Sequence, residues 1–541
     1  MIRKLIYWFT GFLILLICAF CAFKYFMKPP AHTDCLPAKG KTATVFLIDG
    51  LENERFRKLV SQGKLPFIQS MINGGVYVEN GISSFPTMTG FGYFPLITGV
   101  DAVNSGILGL RWFDRNRTMG NLRNYVGRTN VWMNKDIDST MQNAFELSRD
   151  TFTASINSFM NKGVKEAVIT GWYHSGAKFE GMSVFPYLRN IPFIGHEIAM
   201  NHFEHEENAM KIAIDQLQCN PKFHFITLPS PDATNHVHGF TDQYEELLVY
   251  IDALMATYWE EVKRLGQADQ RLLVLASDHG VEAVTKNLDL RENFQQIGLN
   301  MERGNAVNIK SIELNEPISN LENLDAYFVI NGNLSAYIYF KGKEQWKKPL
   351  SAAEIEQYII QGNRKINIAQ YVANQEGINW VAYNKGPQEV IIYNDSGYAQ
   401  VTIQDSFLKY EVITSDVFEY RDSSIIGKWM TKSEWLEKTH KANYPYAVPR
   451  LYDLLKAKGM GDLVLTSRPG YDLGKAYEKV VGNYKGGHGA LRRQLLVVPF
   501  IFYSQNLSQQ NYKSALSEDV GATILKWMNF TDDKRAGKIL F

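Results

Sequence analysis

The stretch ATVFLIDG, residues 43–50, decides how the rest of the chain is read. Its apolar run has no polar alternation and stops abruptly at Asp49-Gly50. A strand wetted on one face alternates apolar and polar residues, whereas a short unbroken run fits a strand buried on both faces. The same pattern returns in EAVITG (166–171), FHFITLPSPD (223–232), RLLVLASDHG (271–280), DLVLTS (462–467) and LLVVPFIFYS (495–504). Helical patterns lie between them, such as DQYEELLVYIDALMATYWEEVKRL at 242–265. Strands alternating with helices predict an α/β fold, a mostly parallel central sheet with helices on both faces. In such sheets, polar residues just past the strands' carboxyl ends form the ligand crevice.

Residues 301–440 read differently. DAYFVINGNLSAYIYF, EVIIYND and GYAQVTIQD are short, turn-bounded runs that predict a β-rich insertion or cap subdomain. The size of the chain, 541 residues, allows roughly three to four domains, although a large α/β enzyme often carries one core with insertions. The division expected is an apolar segment at 1–28, a linker at 29–41, a catalytic domain from 42–300 and 441–541, and the insertion. No internal repeat or low-complexity tract interrupts it.

At the N-terminus, Arg3 and Lys4 precede a run from Leu5 to Phe23 with no charged residue, 19 residues long. That is about the length a helix needs to cross a bilayer core. Phe20, Cys21 and Phe23 spoil a small-x-small cleavage site, so an uncleaved signal anchor is expected rather than a removed signal peptide. The leading basic pair favours a cytoplasmic N-terminus, a bias that Lys24 and Lys28 weaken. The body of the protein is then a single-pass membrane protein's extracytoplasmic domain, in the periplasm or an equivalent space. Cys18 and Cys21 fall in the apolar run, leaving Cys35 and Cys219. A bridge between those two is permitted in an oxidising compartment, and two isolated thiols fit the sequence equally well. Lys plus Arg, 57, balances Asp plus Glu, 56, which disfavours stable nucleic-acid binding.

The chemistry sits at the strand ends. Asp49 follows VFLI, Asp232 follows FITLPSP, and Asp278-His279 follows LLVLAS. His236 lies four residues beyond Asp232, and His488 stands in GGHGA. Three carboxylates and three imidazoles form a donor mixture suited to borderline divalent ions such as Zn²⁺. Six donors suffice for two ions a few ångströms apart, a clamp fit for phosphoryl displacement. Each residue alone is weak evidence, because a strand-terminal Asp is commonly a cap or turn residue.

The ordered set resembles the alkaline phosphatase superfamily, and within it the type I phosphodiesterase/nucleotide pyrophosphatase family. VFLIDG matches the first strand of that family, and PTMT (86–89) with Thr98-Gly99 matches its P-[TS]-x-T turn and following TG. PDATNHVHG (231–239), SDHG (277–280) and GGHG (486–489) supply the remaining motifs in the same order. The likeness covers roughly 42–300 and 445–504. It implies that Thr89 is the nucleophile, that Asp49, Thr89, Asp278 and His279 surround one ion, and that Asp232, His236 and His488 hold the other. The ions implied are two divalent cations, Zn²⁺ first, with Mn²⁺ or Mg²⁺ as alternatives. Thr87 is the competing hydroxyl, with a cap or turn role as its plain alternative. A helix starting near Gly90 would favour the incoming phosphate.

One departure stands out. Many family members place an Asn about 21 residues after the nucleophile, and here that position is Leu110. Neighbouring Arg111 offers a forked guanidinium for phosphate instead, and Trp112 a pocket wall, against the plain alternative of an exposed Arg and a core Trp. His238 is read as peripheral, and His196, His202 and His205 as a polar helix face, since they lack the HExxH spacing of a zinc protease. No C/S-x-P-x-R turn is present, which disfavours a sulfatase.

The expected activity is a two-metal hydrolysis of a phosphodiester or pyrophosphate (a nucleotide, lipid headgroup or similar) through a phosphothreonine intermediate. The alternatives are a phosphomonoesterase or phospho-headgroup transferase of the same superfamily and, from another class, a non-catalytic binding protein on a retained hydrolase fold.

Overall fold

The computed structural model describes residues 37–105, 108–109, 111–115, 122–124, 167–170, 178–179, 202–303, 321–474, 484–530 and 537–541. The apolar segment 1–28, most of the linker, and Cys35 lie outside these residues. Among the described residues, no helix is long and apolar enough to cross a membrane.

The first sheet has eight strands in the spatial order Gln510–Leu516, Val76–Ile82, Val497–Tyr503, Arg271–Ala276, Thr42–Ile48, Phe223–Leu228, Ala167–Thr170, Lys178–Phe179. All run the same way except Val497–Tyr503, which is antiparallel to both neighbours. Thr42–Ile48, Phe223–Leu228 and Arg271–Ala276 are buried at every position, as their unbroken apolar runs require of a sheet covered on both faces. The helix Asp242–Arg264 packs its Leu247, Ile251, Met255 and Tyr258 stripe on one face, among Phe46, Ile226 and Leu275.

The second sheet, in the order Met301–Arg303, Ala326–Asn331, Ser335–Phe340, Leu463–Ser467, Ile378–Gly386, Glu389–Asn394, Gly397–Gln404, Phe407–Val412, is antiparallel apart from its first pair. The run 463–467, which reads like the parallel strands, instead lies in its middle, antiparallel to both neighbours. It is buried throughout, and full burial erases the alternation that would have told the two settings apart.

Candidate functional site

Three strands adjacent in the first sheet, Arg271–Ala276, Thr42–Ile48 and Phe223–Leu228, end side by side. Asp278-His279, Asp49 and Asp232 follow them directly, so a parallel arrangement brings residues far apart in the chain into one crevice. Asp232 sits in the first turn of the helix Ser230–His238, and His236 one turn later faces the same way. The His236 Nε2–Asp232 Oδ2 distance is 3.1 Å. His488 arrives on the loop that leads into the one antiparallel strand of the sheet.

Gly50 permits the closeness. It has φ +68°, and a side chain there would meet Asp232 Cβ at 2.8 Å. At Gly92 a side chain would meet the Asp278 carbonyl oxygen at 2.7 Å.

Two groups of donor atoms converge. Asp232, His236 and His488 form one, and Asp49, Asp232 and His279 form the other, each within 4.8 Å. Asp232 is common to both. His279 Nε2 lies 3.5 Å from Asp49 Oδ1, 3.3 Å from Asp278 Oδ2 and 3.2 Å from Thr89 Oγ1. The His279 and His488 rings stack at 3.8 Å between centroids.

The histidines share one orientation. Nδ1 of His236 donates to the Gly486 carbonyl at 2.9 Å, Nδ1 of His279 to Gly280 at 3.2 Å, and Nδ1 of His488 to Thr87 at 2.9 Å. A carbonyl only accepts, so each Nδ1 carries a proton and each Nε2 is turned to the crevice, where it offers a lone pair once the ring is neutral. This is how metal-ligating histidines are commonly held.

Electrostatics agree. Burial, with Asp232 beside it, pushes the Asp49 carboxyl well above its ordinary range, and burial with Asp49 beside it does the same to Asp278. Burial would raise Asp232 too, but His236 and His488 outweigh it and hold its carboxyl below the usual range. Burial would lower His236, but the Asp232 carboxylate outweighs it and lifts the ring to about 9. His488 is pushed down to about 4 by burial, and His279 is lowered by burial and by His488. Asp49 Oδ1, Asp232 Oδ1 and both Asp278 carboxylate oxygens are buried and accept no hydrogen bond. Buried anionic oxygens without donors are costly unless a cation answers them. The donor set, the histidine tautomers and these orphaned oxygens fit divalent metal.

The two hydroxyls of PTMT are sorted by their surroundings. Thr89 is partly exposed beside His279. Thr87 is fully buried; its Oγ1 donates to the Ala490 carbonyl at 2.9 Å and accepts from Gly489 N at 3.0 Å. It staples the turn to the His488 loop. The helix expected near Gly90 begins only at Tyr93 and runs six residues to Thr98. The amides of Gly92 and Tyr93 already bond to Met88 and Gly90 carbonyls, so they offer a phosphate nothing.

Arg111 opens the short strand Arg111–Phe113, while its side chain and Leu110 lie outside the described residues. Trp112 is a core residue, 5% exposed, rather than a pocket wall. His238 is exposed. The polar face expected of His202 and His205 is instead buried, together with Glu206, because the helix His202–Gln216 packs beneath the helix that carries Asp232. His196 lies outside the described residues. Glu206 accepts from Ser230 N at 2.7 Å.

Sequence reasoning missed two contributors. The Tyr93 hydroxyl donates to Asp49 Oδ2 at 2.8 Å; its place four residues after Thr89 was the available signal. The turn between Ala326–Asn331 and Ser335–Phe340 reaches His488, with Leu334 N donating to its carbonyl at 3.0 Å. Main-chain contacts of that kind leave no residue signature.

A family model described as type I phosphodiesterase / nucleotide pyrophosphatase matches residues 43–345, more than half of the chain. Ectonucleotide pyrophosphatase/phosphodiesterase family member 1 of Mus musculus is 23% identical over 247 residues, and that of Rattus norvegicus 24% identical over 257. Each match covers 44% of this chain, and the chain spans only 24% of the length of those relatives. Among solved structures, murine ectonucleotide pyrophosphatase / phosphodiesterase 5 superposes with TM-score 0.51 at 12% identity, covering 92% of this chain and 97% of that one. The human protein gives 0.50 at 11% over the same shares, and an inactive murine form in complex with AMP gives 0.50 at 12%, covering 92% and 98%. At such identity the likeness is one of fold.

Proposed function

Because this chain belongs to the type I phosphodiesterase/nucleotide pyrophosphatase family, we propose that it is a metal-dependent phosphoester hydrolase that works through a covalent phosphothreonine at Thr89. The observation that carries this reading is the 3.2 Å approach of Thr89 Oγ1 to His279 Nε2, where the two donor groups converge. Asp49, Asp278, His279 and Thr89 would hold one divalent ion and Asp232, His236 and His488 the other, with Zn²⁺ the first candidate from the donor set. Such ions, when bound, favour the alkoxide of a threonine and offset charge on phosphoryl oxygens.

The chain's own part is to aim and to anchor. Phe85, Met88 and Phe91, which flank Thr89 in sequence, are buried in the apolar core and anchor its turn. Tyr93 fixes Asp49 through its hydrogen bond, and Thr87 fixes the turn to the His488 loop. Thr89 Oγ1 attacks phosphorus, the bond to the leaving-group oxygen breaks, and the alcohol or phosphate departs with a proton. Water then attacks the phosphorus of the phosphothreonine, which still carries the substrate's second ester group; Oγ1 takes back a proton and leaves, and a phosphomonoester is released. Arg111 is assigned to a phosphoryl oxygen in place of the amide missing at Leu110.

Nucleotides are the first substrate class to test, since a murine protein of similar fold has been solved with AMP. An extracytoplasmic catalytic domain on an N-terminal anchor fits a disulfide-bonded Cys219 and the uncharged run from Leu5 to Phe23. The chain divides into a catalytic domain (42–300 with 441–541) and an insertion (301–440), with the strand Leu463–Ser467 lent by the first to the sheet of the second. The experiment is acid-quench trapping during turnover of a nucleotide diester. A phosphoryl adduct on Thr89 that keeps the substrate's second ester group is expected by peptide mass spectrometry, and the adduct on Thr87 or on no residue at all would overturn the covalent route.

A further inference from the structure

Arg492 and Glu282 belong to neither donor group, yet each follows a ligand closely: Arg492 comes four residues after His488, and Glu282 three after His279. Their side chains meet in a two-pronged ion pair. Arg492 Nε donates to Glu282 Oε2 at 2.6 Å, and Nη2 donates to Oε1. The third arm, Nη1, donates at 2.7 Å to the carbonyl of Ser467, the last residue of a central strand in the second sheet. Both residues are buried, at 8% and 4% exposure. The backbones of the two loops also pair, Gly486 with Ala283 and Gly487 with Glu282. The second sheet closes the ring, since Ser467 N donates to the Leu334 carbonyl and Leu334 N to that of His488.

Burying a charge pair away from water gains little stability over a well-packed apolar pair, so stability alone does not account for it. A planar guanidinium satisfied on three sides does fix position and angle. We propose that Arg492 and Glu282 are positioning residues that set the distance between the two donor groups, locking the loop of His488 against the loop of Asp278 and His279 with the second sheet as anvil. The inference deepens the two-metal reading above and rests on it.

Single substitutions leave a buried unpaired charge and endanger the fold, so the test uses the full-length double variant Glu282→Gln/Arg492→Met. Three quantities are read: melting midpoint, amide exchange of residues 484–490 in the metal-free protein, and stepwise Zn²⁺ affinity by calorimetry. The expected result is a folded protein with a midpoint near that of the parent and faster exchange confined to 484–490. Its affinity for one of the two ions should fall about 10–100-fold, the range for losing outer-shell partners of a metal ligand. The kcat should fall while KM holds. Arg492→Lys should recover little of this, because one ammonium cannot serve three acceptors in a plane. Parent-like exchange at 484–490 in a folded double variant, or parent-like affinity for both ions, overturns the proposal. If the double variant does not fold, Glu282→Asp, which shortens the arm and keeps the charge, is read by the same exchange and affinity criteria. A parent protein that takes up no metal sinks the two-metal reading itself. The exchange arm then still decides the clamp, faster exchange supporting it and unchanged exchange overturning it.

Discussion

The two sheets meet at His488 but serve it by different means. The first sheet delivers side chains: three neighbouring parallel strands end in Asp49, Asp232 and Asp278-His279. The second delivers main chain: the Leu334 amide bonds the His488 carbonyl, and the Ser467 carbonyl accepts from Arg492. Side-chain donors at strand ends are irreplaceable in type but tolerant of what lies behind them. Main-chain buttressing tolerates many side chains, provided the strands stay paired. Substitutions in the first region should therefore stop chemistry in a folded protein, and substitutions in the second should loosen the fold first.

The sharpest test of that contrast is the nucleophile. Thr89→Ala removes the attacking oxygen, and turnover should fall by several orders of magnitude with the melting midpoint unchanged. Thr89→Ser should keep measurable activity, and Thr87→Ala should cost far less than Thr89→Ala. Steady-state kinetics on the folded variants settles it, and full turnover by Thr89→Ala would break the assignment. Next in size is metal. Chelation should abolish activity, Zn²⁺ or Mn²⁺ should restore it, and Asp278→Asn or His488→Ala should lower bound metal and rate together. Elemental analysis alongside rates checks this; full activity in a protein shown to be metal-free would reject it.

The second sheet supplies the counter-case. Ile338 is fully buried between its strands and the packed helices. Ile338→Ala should cost about 2–5 kcal/mol of stability, the usual penalty for such a cavity. Its kcat per folded molecule should match the parent. Denaturant titration paired with active-site counting decides it, and a kcat loss without a stability loss would erase the distinction between the sheets. Arg111→Ala should cost roughly 2–4 kcal/mol in transition-state stabilisation if it holds a phosphoryl oxygen, with Arg111→Lys recovering part. An unchanged kcat/KM would remove Arg111 from the site.

The smallest effect concerns Glu206, beneath the Asp232 helix, whose carboxyl burial pushes up to about 8 from an ordinary 4.5. A group raised in the folded state binds its proton more tightly there than in the unfolded chain. Its contribution is complete below about pH 4.5 and is lost as pH climbs through 8. Glu206→Gln cannot ionise, so its melting midpoint should gain on the parent between pH 5 and pH 8, by a few degrees. A constant offset across that range would refute the raised carboxyl.

Much of the first region was legible because its information is local. An apolar run that halts at Asp-Gly, or a PDxxxH helix start, records strand end and ligand in a few letters. The strand 463–467 was misplaced because full burial reads alike in parallel and antiparallel sheets. His202 and His205 were misread because charge pattern alone assigns a helix face to solvent, while here the neighbouring helix covers it. The helix start slipped from Gly90 to Tyr93 because the Gly92 and Tyr93 amides bond back to the Met88 and Gly90 carbonyls in a turn that precedes the helix. Tyr93 and the Leu334 turn went unseen because contacts across a fold are written in distance, not in sequence.

The hydrogen bond from Gly489 to Thr87 spans 402 residues of chain. During synthesis the turn Pro86–Thr89 therefore emerges long before its partner. At ribosomal speeds of roughly 5–20 residues per second, the gap is on the order of 20–80 seconds. Throughout that interval a nascent chain exposes Thr89 without the His488 loop that clamps its turn. On the proposed mechanism, a stalled or truncated product that lacks this loop would be inert toward phosphoesters, and activity would arrive only when the loop docks.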